Sequence, residues 1–272
     1  MRQPSCHLTF AVTLTALLAL PGCNWLAAKS GKLRTVEQVQ PDYRIHDSHT
    51  VKSRFALQEQ LGLAVNRLGS GDLDGAERYA NKALTLDANS VQAHTLLALI
   101  ADRRGAYAVA GEHYRKAAEL APDSGETLNN YGAWLCANGA AAESLSWFDR
   151  ALALPDYATP ASALANAGGC ALQLGQRERG LHDLRKALAM EPNNPYALEA
   201  MAREEVAQGH FFEARAFAER RLASAPANSS VLQLAVKIEQ RLGDKVAASR
   251  YQQRLRKEFP NAATTISGNN PS

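Results

Sequence analysis

A chain of 272 residues that is 46% hydrophobic but only 7% aromatic has a composition that favours close-packed helices over β-sheets. Its formal net charge of +3 at pH 7 is too small to indicate nucleic-acid binding. The sequence contains no nucleophile elbow, no phosphate-binding glycine loop and no helical zinc motif. It therefore predicts no enzyme activity, no cofactor and no small-molecule substrate.

The N-terminus has the features of a removable export signal. Arg2 supplies a positive charge, and the apolar stretch 8–20 that follows is too short to span about 30 Å of hydrocarbon as a helix. The sequence Leu-Pro-Gly-Cys at 20–23 resembles a bacterial lipobox, in which cleavage before the cysteine leaves that residue with acyl chains. The alternative is an ordinary secretory signal with a chance cysteine. We predict a signal peptide over residues 1–22 and lipidation of Cys23.

Residues 23–56 are predicted to be the lipidated N-terminus and a polar tether that becomes helical from about Asp47. Several acyl chains, at about 0.8 kcal/mol per buried CH₂, anchor a protein stably without a transmembrane helix. Asn24 follows the cysteine in place of the aspartate that favours inner-membrane retention of enterobacterial lipoproteins. The predicted location is therefore the outer membrane, with the folded part on its periplasmic face.

Six glycines recur at nearly equal intervals through the rest of the chain. Their spacings are 34, 34, 36, 34 and 34 residues, which is typical of a repeated helical hairpin. Each unit is expected to contain a helix, a turn that holds the glycine, a second helix and a short link. The glycines are Gly71, Gly105, Gly139, Gly175, Gly209 and Gly243. The predicted repeats span 57–90, 91–124, 125–160, 161–194, 195–228 and 229–260, and residues 261–272 are predicted to be a disordered tail.

The pattern within each unit resembles the tetratricopeptide repeat. In the second unit, Ala98 and Ala110 at positions 8 and 20 allow the two helices to approach closely, and Pro122 at position 32 stops the second helix. The resemblance implies an all-α fold, a right-handed superhelix of six helical hairpins whose concave face binds polypeptides. In the sixth unit, polar residues occupy positions that a following repeat would cover. This unit is predicted to cap the array with a solvent-facing surface formed by Glu239, Gln252 and Glu258.

Two cysteines lie outside the signal and the lipobox. Cys136 and Cys170 belong to the first helices of neighbouring repeats. Their residue type favours two small buried side chains, while an oxidising periplasm permits a disulfide between the repeats. Both interpretations are open from the sequence.

No metal site is predicted. The segment 69–75 resembles a calcium loop but lacks the glutamate at the twelfth position, and Asp72 is expected to cap the second helix instead. His46 and His49 lie on the predicted tether and provide too few ligands for a site. The other histidines after the signal are interpreted as surface residues: His94, His113, His182 and His210.

Candidate binding residues lie on the first helices, which line the concave face of tetratricopeptide arrays. Five apolar residues of repeats one and two are predicted to form a groove, unless the tether covers them: Leu61, Val65, Leu68, Leu96 and Leu99. Asn130 and Asn166 occupy position 6 of repeats three and four. An asparagine there can both donate to and accept from the backbone of a bound peptide.

The lipobox, the tether, the six repeats and the segment Leu-Asn-Asn-Tyr-Gly-Ala-Trp-Leu at 128–135 together resemble the type IV pilus biogenesis/stability lipoproteins, the PilF/PilW pilotins. The longer link after repeat three and the pair Phe259–Pro260 belong to the same resemblance. It implies an outer-membrane pilotin that binds the secretin subunit of the type IV pilus and promotes its outer-membrane localisation and multimerisation. The alternative is a lipoprotein adaptor that recruits murein-processing enzymes or proteases.

We expect Cys23 to be the mature N-terminus and to carry acyl chains, because it closes the lipobox after an apolar signal. Mass spectrometry of the membrane-extracted protein should show the loss of residues 1–22 and added acyl mass. The Cys23→Ala variant should stay folded but leave the membrane fraction, whereas Cys6→Ala, a matched change within the signal, should have no effect. An intact chain, or cleavage elsewhere without acyl mass, contradicts the prediction.

Overall fold

The computed structural model describes residues 49–262, which form twelve α-helices in tandem antiparallel hairpins and contain no strand. The predicted all-α superhelix of six hairpins is thereby confirmed. The predicted signal peptide, the lipidated Cys23, most of the tether and most of the tail lie outside the described residues. None of the described helices combines the length and the apolar character needed to cross a membrane. The helices are α1 (His49–Gly69), α2 (Leu73–Leu86), α3 (Val91–Arg103), α4 (Tyr107–Leu120), α5 (Gly125–Ala137), α6 (Ala141–Leu152), α7 (Pro160–Gln173), α8 (Arg177–Met190), α9 (Pro195–Gln208), α10 (Phe211–Ser224), α11 (Ser229–Leu242) and α12 (Lys245–Glu258).

The turn inside each hairpin depends on its glycine. All six evenly spaced glycines have φ between 73° and 89°, and no other described residue has a positive φ. An L side chain is strained in this left-handed region, whereas glycine adopts it freely. The period of the sequence therefore marks six backbone turns that reverse the chain in the same way.

Half of the helices have a polar side chain at the N-cap position that accepts a hydrogen bond from the first turn. Asp72 accepts a hydrogen bond of 2.8 Å from the backbone N–H of Gly75, which confirms its predicted role as the cap of α2. Asn194 accepts a comparable bond of 3.0 Å from Ala197 at the start of α9. Each such bond satisfies an N–H group that the first turn of a helix leaves without a partner. The same role belongs to Ser90, Ser124, Asn228 and Asp244.

Small residues let the paired helices of each hairpin come close together. Ala98 and Ala110, at positions 8 and 20 of the second repeat, are completely buried. In the third repeat, a Cβ added to Gly132 would lie 2.9 Å from a ring carbon of Phe148 on the partner helix. Since Phe148 is itself completely buried, its ring has no space to move into.

The longer link between α6 and α7 carries a core residue. Tyr157, in the middle of this link, is buried and belongs to the same apolar cluster as Leu128 and Tyr131. Its ring covers Gly125, where an added Cβ would approach a ring carbon to 2.3 Å. The two additional residues therefore bring an aromatic ring back onto the core of the third repeat.

A disulfide bond joins the third and fourth repeats. Cys136 of α5 and Cys170 of α7 are bonded, with their Cα atoms 6.0 Å apart, and both residues are buried in one apolar cluster. Of the two interpretations open from the sequence, the structure shows the bridge. A crosslink across 34 residues stabilises a fold by typically about 2–4 kcal/mol, mainly by restricting the unfolded chain.

The prediction that the sixth repeat presents a solvent-facing surface is wrong for Glu239. Its side chain is buried, with 3% of the residue exposed, and Arg215 of α10 donates hydrogen bonds to both carboxylate oxygens, one of them 3.0 Å long. The charge is tolerated inside because a guanidinium from the preceding helix compensates it. Gln252 is half-buried and Glu258 is exposed.

His94 is buried rather than on the surface, and it pairs with His113 of the same repeat. The two Nδ1 atoms are 3.0 Å apart, and His94 Nε2 lies 3.3 Å from the carbonyl oxygen of Ala88. A carbonyl only accepts, so Nε2 of His94 carries a proton, and Nδ1 of a neutral His94 accepts from Nδ1–H of His113. Burial lowers the pKa of His113, His94 lowers it further, and Glu112 opposes this more weakly. His182 and His210 are exposed, as predicted.

The pairing of His94 with His113 should make stability depend on pH. Because the pKa of His113 is lowered in the folded protein, the unfolded chain binds more protons once the pH falls below about 6.5. The free energy of unfolding should therefore decrease as the pH is lowered through this range. Urea unfolding at about pH 7.5 and about pH 5.5 should show a smaller decrease for His113→Gln than for the wild type. His182→Gln, at an exposed position, should behave like the wild type, and an unchanged decrease in His113→Gln would contradict the assignment.

Gly132→Ala should lower the free energy of unfolding by roughly 1–3 kcal/mol, because the added methyl group meets the immobile ring of Phe148. Gly62→Ala is the matched control: a Cβ at this helical glycine meets nothing within 4 Å. It should raise the free energy of unfolding by roughly 0.5–1 kcal/mol. Urea denaturation of both variants measures the difference, and equal effects would show that close helix packing does not require Gly132.

Candidate protein-binding groove

An open groove of about 880 Å³ runs across the first helices of repeats one and two. Its lining comes from α1, from α3, and from α5 with the link that precedes it. First helices of successive repeats lie side by side in this fold, which brings residues about 34 positions apart into one surface. The groove is thus a direct consequence of the repeat.

The floor of the groove is apolar. Leu61 and Leu96 line it, although they are only 5% and 8% exposed, because they also pack into the core of repeats one and two. Val65 lines one side and is 54% exposed. Gly62 leaves the space above its Cα empty, which widens the groove beside Val65. A bound apolar side chain would contact a rigid leucine floor and a free valine wall.

Leu68 and Leu99 do not line the groove, although the sequence predicted that they would. Leu68 lies seven residues after Leu61, on nearly the same side of α1, and is buried in the core that α2 and α3 complete. Leu99 is 40% exposed but lies away from the groove lining. Of the five predicted residues, three therefore line the groove, Leu68 belongs to the core and Leu99 is exposed outside the groove.

Side-chain amides surround the apolar floor. Gln58, Gln92 and Asn130 line the groove, and their side-chain amides have no hydrogen-bond partner within residues 49–262. The hydroxyl of Thr127, by contrast, already donates to the carbonyl oxygens of Ala121 and Ser124, both at 2.9 Å. The unpaired amides can both donate to and accept from a polypeptide backbone.

Asn166 does not share a site with Asn130. Its Nδ2 donates a 2.9 Å hydrogen bond to Oδ1 of Asn129, so the amide links the third and fourth repeats. Asn166 also lines a separate cavity of about 350 Å³ beside Asn194. Of the two asparagines predicted to bind a partner, only Asn130 lies in the groove.

Gln58 and Gln92 line the groove but are not among the residues predicted from the sequence, which are apolar residues of repeats one and two and asparagines of repeats three and four. Both occupy position 2 of their repeats, one of the positions that line the concave face. The repeat register alone would therefore have identified them.

Within residues 49–262, no group of three or more histidine, cysteine, aspartate or glutamate residues is arranged to hold a metal ion. The groove offers apolar contacts and amides, which are the means of binding a polypeptide.

Comparison with known proteins agrees with this architecture. The tetratricopeptide repeat family model matches residues 91–124 and 161–194, the second and fourth repeats. This fold is typical of protein-interaction scaffolds. The type IV pilus assembly protein PilF of Pseudomonas aeruginosa is 27% identical over 203 residues, which cover 74% of this chain and 79% of PilF.

Solved structures add a more similar relative. The crystal structure of PilW, described as a widely conserved type IV pilus biogenesis factor, is 30% identical and aligns with a TM-score of 0.65 over 79% of this chain and 98% of PilW. The structure of Pseudomonas aeruginosa PilF aligns with a TM-score of 0.63 at 22% identity, over 80% of this chain and all of PilF, and supports the fold. With 30% identity across nearly the whole of PilW, this chain belongs to the PilF/PilW family of type IV pilus biogenesis proteins built from tetratricopeptide repeats.

Proposed function

We propose that this protein is an outer-membrane pilotin, a lipoprotein that binds the secretin subunit of the type IV pilus and promotes its outer-membrane localisation and multimerisation. Membership of a type IV pilus biogenesis family supports a role in this machinery. The observation that carries the binding step is the open groove with an apolar floor and unpaired amides. The lipobox that ends at Cys23 supports attachment to the membrane in which a secretin assembles.

The groove favours an extended segment of the partner. An extended chain presents backbone N–H and C=O groups along its length, whereas a helix has already paired these groups internally. The amides of Gln58, Gln92 and Asn130 can pair with such a backbone. Alternate side chains of the segment would then point down to Leu61 and Leu96. The amides of the groove would thus bind the backbone of the segment, and its leucines would bind the apolar side chains.

Val65→Asp should abolish secretin ring assembly and piliation while the helical spectrum stays unchanged. Val65 is exposed, so the substitution does not disturb the core, but a partner in the groove would bury the new charge. A change at such a contact typically costs at least about 2 kcal/mol, which weakens binding roughly 30-fold. Assembly is measured as heat-resistant secretin multimers in membrane extracts, together with pilus counts.

The matched control is Val246→Asp, the same substitution at a residue of α12 that is 80% exposed and lies far along the chain from the groove. It should leave ring assembly unchanged. Normal secretin rings in the Val65→Asp strain, at a normal level of the protein, would overturn the proposed binding site. A protein that instead recruits murein-processing enzymes or proteases would also give that result, and capture of partners from envelope extracts would then identify them.

A further inference from the structure

A second cavity adjoins the groove at Asn130. It has a volume of about 540 Å³ and lies between the second and third repeats. Three aromatic residues and one carboxylate line it, and we call it the aromatic pocket: Tyr107, Tyr114, Trp134 and Asp102. Asn130 lines both the aromatic pocket and the groove, so the two cavities adjoin at this residue of α5.

The aromatic walls are in place without a ligand. The indole of Trp134 packs on Gly111, where an added Cβ would lie 2.3 Å from a ring carbon. Its Nε1–H donates a 3.1 Å hydrogen bond to the backbone carbonyl of Tyr107, and its ring stacks at 6.0 Å on Tyr131. These contacts fix the indole from three directions. A site whose walls are already ordered loses little conformational freedom on binding.

The carboxylate in the aromatic pocket has no cation beside it. Asp102 is half-buried and accepts a hydrogen bond from the hydroxyl of Tyr114, but it makes no ion pair within residues 49–262. The two arginines that follow it contact the first repeat: Arg103 donates to the carbonyl oxygen of Leu68, and Arg104 pairs with carboxylates of α2. Asp102 also lies in the last turn of α3, where the helix dipole disfavours a negative charge. A cation supplied from outside would compensate this charge.

The aromatic surroundings indicate which cation fits. A metal ion needs several oxygen or nitrogen ligands, whereas the aromatic pocket offers one carboxylate. Aromatic rings bind organic cations through their π faces, and a planar guanidinium can stack on a ring while it donates hydrogen bonds to a carboxylate. Tyr107 is 57% exposed and Trp134 is half-buried, so both rings are accessible at the surface.

We propose that the aromatic pocket binds the guanidinium group of an arginine in the polypeptide segment that occupies the groove. The identity of this segment rests on the proposed function. The shared residue Asn130 places the aromatic pocket next to the groove that the segment would occupy. Asp102 accepts hydrogen bonds from the guanidinium, and the aromatic rings stack against it. The arginine fixes the register of the segment, while the groove itself tolerates different sequences.

The test titrates the mature protein, labelled with 15N at its tryptophans, with the peptide acetyl-Gly-Arg-Gly-amide at millimolar concentrations. The chain has three tryptophans, and the indole N–H of Trp134 reports on the aromatic pocket because it donates to Tyr107. Trp147 does not line the aromatic pocket and serves as the internal reference. The arginine peptide should shift the Trp134 resonance in a saturable way. A matched peptide with citrulline, which has the same shape without the charge, should not.

Asp102→Asn should weaken binding of the arginine peptide by about tenfold or more, since a charge-assisted hydrogen bond is lost. Asp123→Asn, an exposed aspartate outside the aromatic pocket, controls for the change in net charge. Tyr107→Leu should weaken binding as well, and it decides the test if Asp102→Asn fails to fold. Equal shifts with arginine and citrulline, no shift at all, or full binding by both variants would overturn the proposal.

The short peptide has no apolar anchors, so this titration is independent of the groove. The Val65→Asp variant should bind the arginine peptide normally. If the arginine peptide does not bind but Val65→Asp abolishes ring assembly, the arginine site is rejected and the proposed function stands. If the arginine peptide binds but Val65→Asp assembles normal rings, the arginine site stands and the groove is rejected as the secretin-binding site.

Discussion

The close approach of the two helices in each hairpin is the constraint on which the rest of this structure depends. Small buried residues bring the helices together, such as the completely buried Ala98 and Ala110 at positions 8 and 20 of the second repeat, and a left-handed glycine reverses the chain in each hairpin. Gly168 and Gly180 of the fourth repeat show how little space is left, since a Cβ on Gly168 would lie 2.9 Å from the carbonyl oxygen of Gly180. Hairpins of one shape stack in one way, so the first helices line up and form the wall of a groove.

The fold could be predicted because its determinants are local and repeated. A glycine every 34 residues and small residues at fixed positions act through backbone conformation and contact distance, which depend weakly on the rest of the chain. The site was harder to predict, because position within a repeat does not determine exposure. Leu61 and Leu68 share one side of α1, yet only Leu61 reaches the groove, since the core formed with α2 and α3 covers Leu68.

Polar pairs explain the other differences between sequence and structure. Glu239 looked like a solvent-facing cap, but Arg215, 24 residues earlier, compensates its charge and allows its burial. His94 looked like a surface residue, but it is buried and forms a hydrogen bond with His113 on the other helix of the hairpin. Each partner lies on a different helix, so the pairing depends on packing angles that no local pattern encodes. The bond between Cys136 and Cys170 has the same origin, since residue type alone favoured two free thiols.

The pairing of polar side chains differs along the array. In the fifth repeat, burial raises the pKa of Glu199, but hydrogen bonds from Ser230 and Arg203, 2.6 and 2.8 Å long, lower it overall. The polar groups there satisfy each other. In the first three repeats, by contrast, the side-chain amides of Gln58, Gln92 and Asn130 have no hydrogen-bond partner among the described residues. The carboxylate of Asp102 accepts from the hydroxyl of Tyr114 but forms no ion pair there. Unpaired polar groups beside an apolar floor gain most from a ligand, because binding replaces water at groups that the fold itself leaves unsatisfied. The six repeats therefore share one backbone architecture, and side chains at a few positions determine where polar groups remain unpaired.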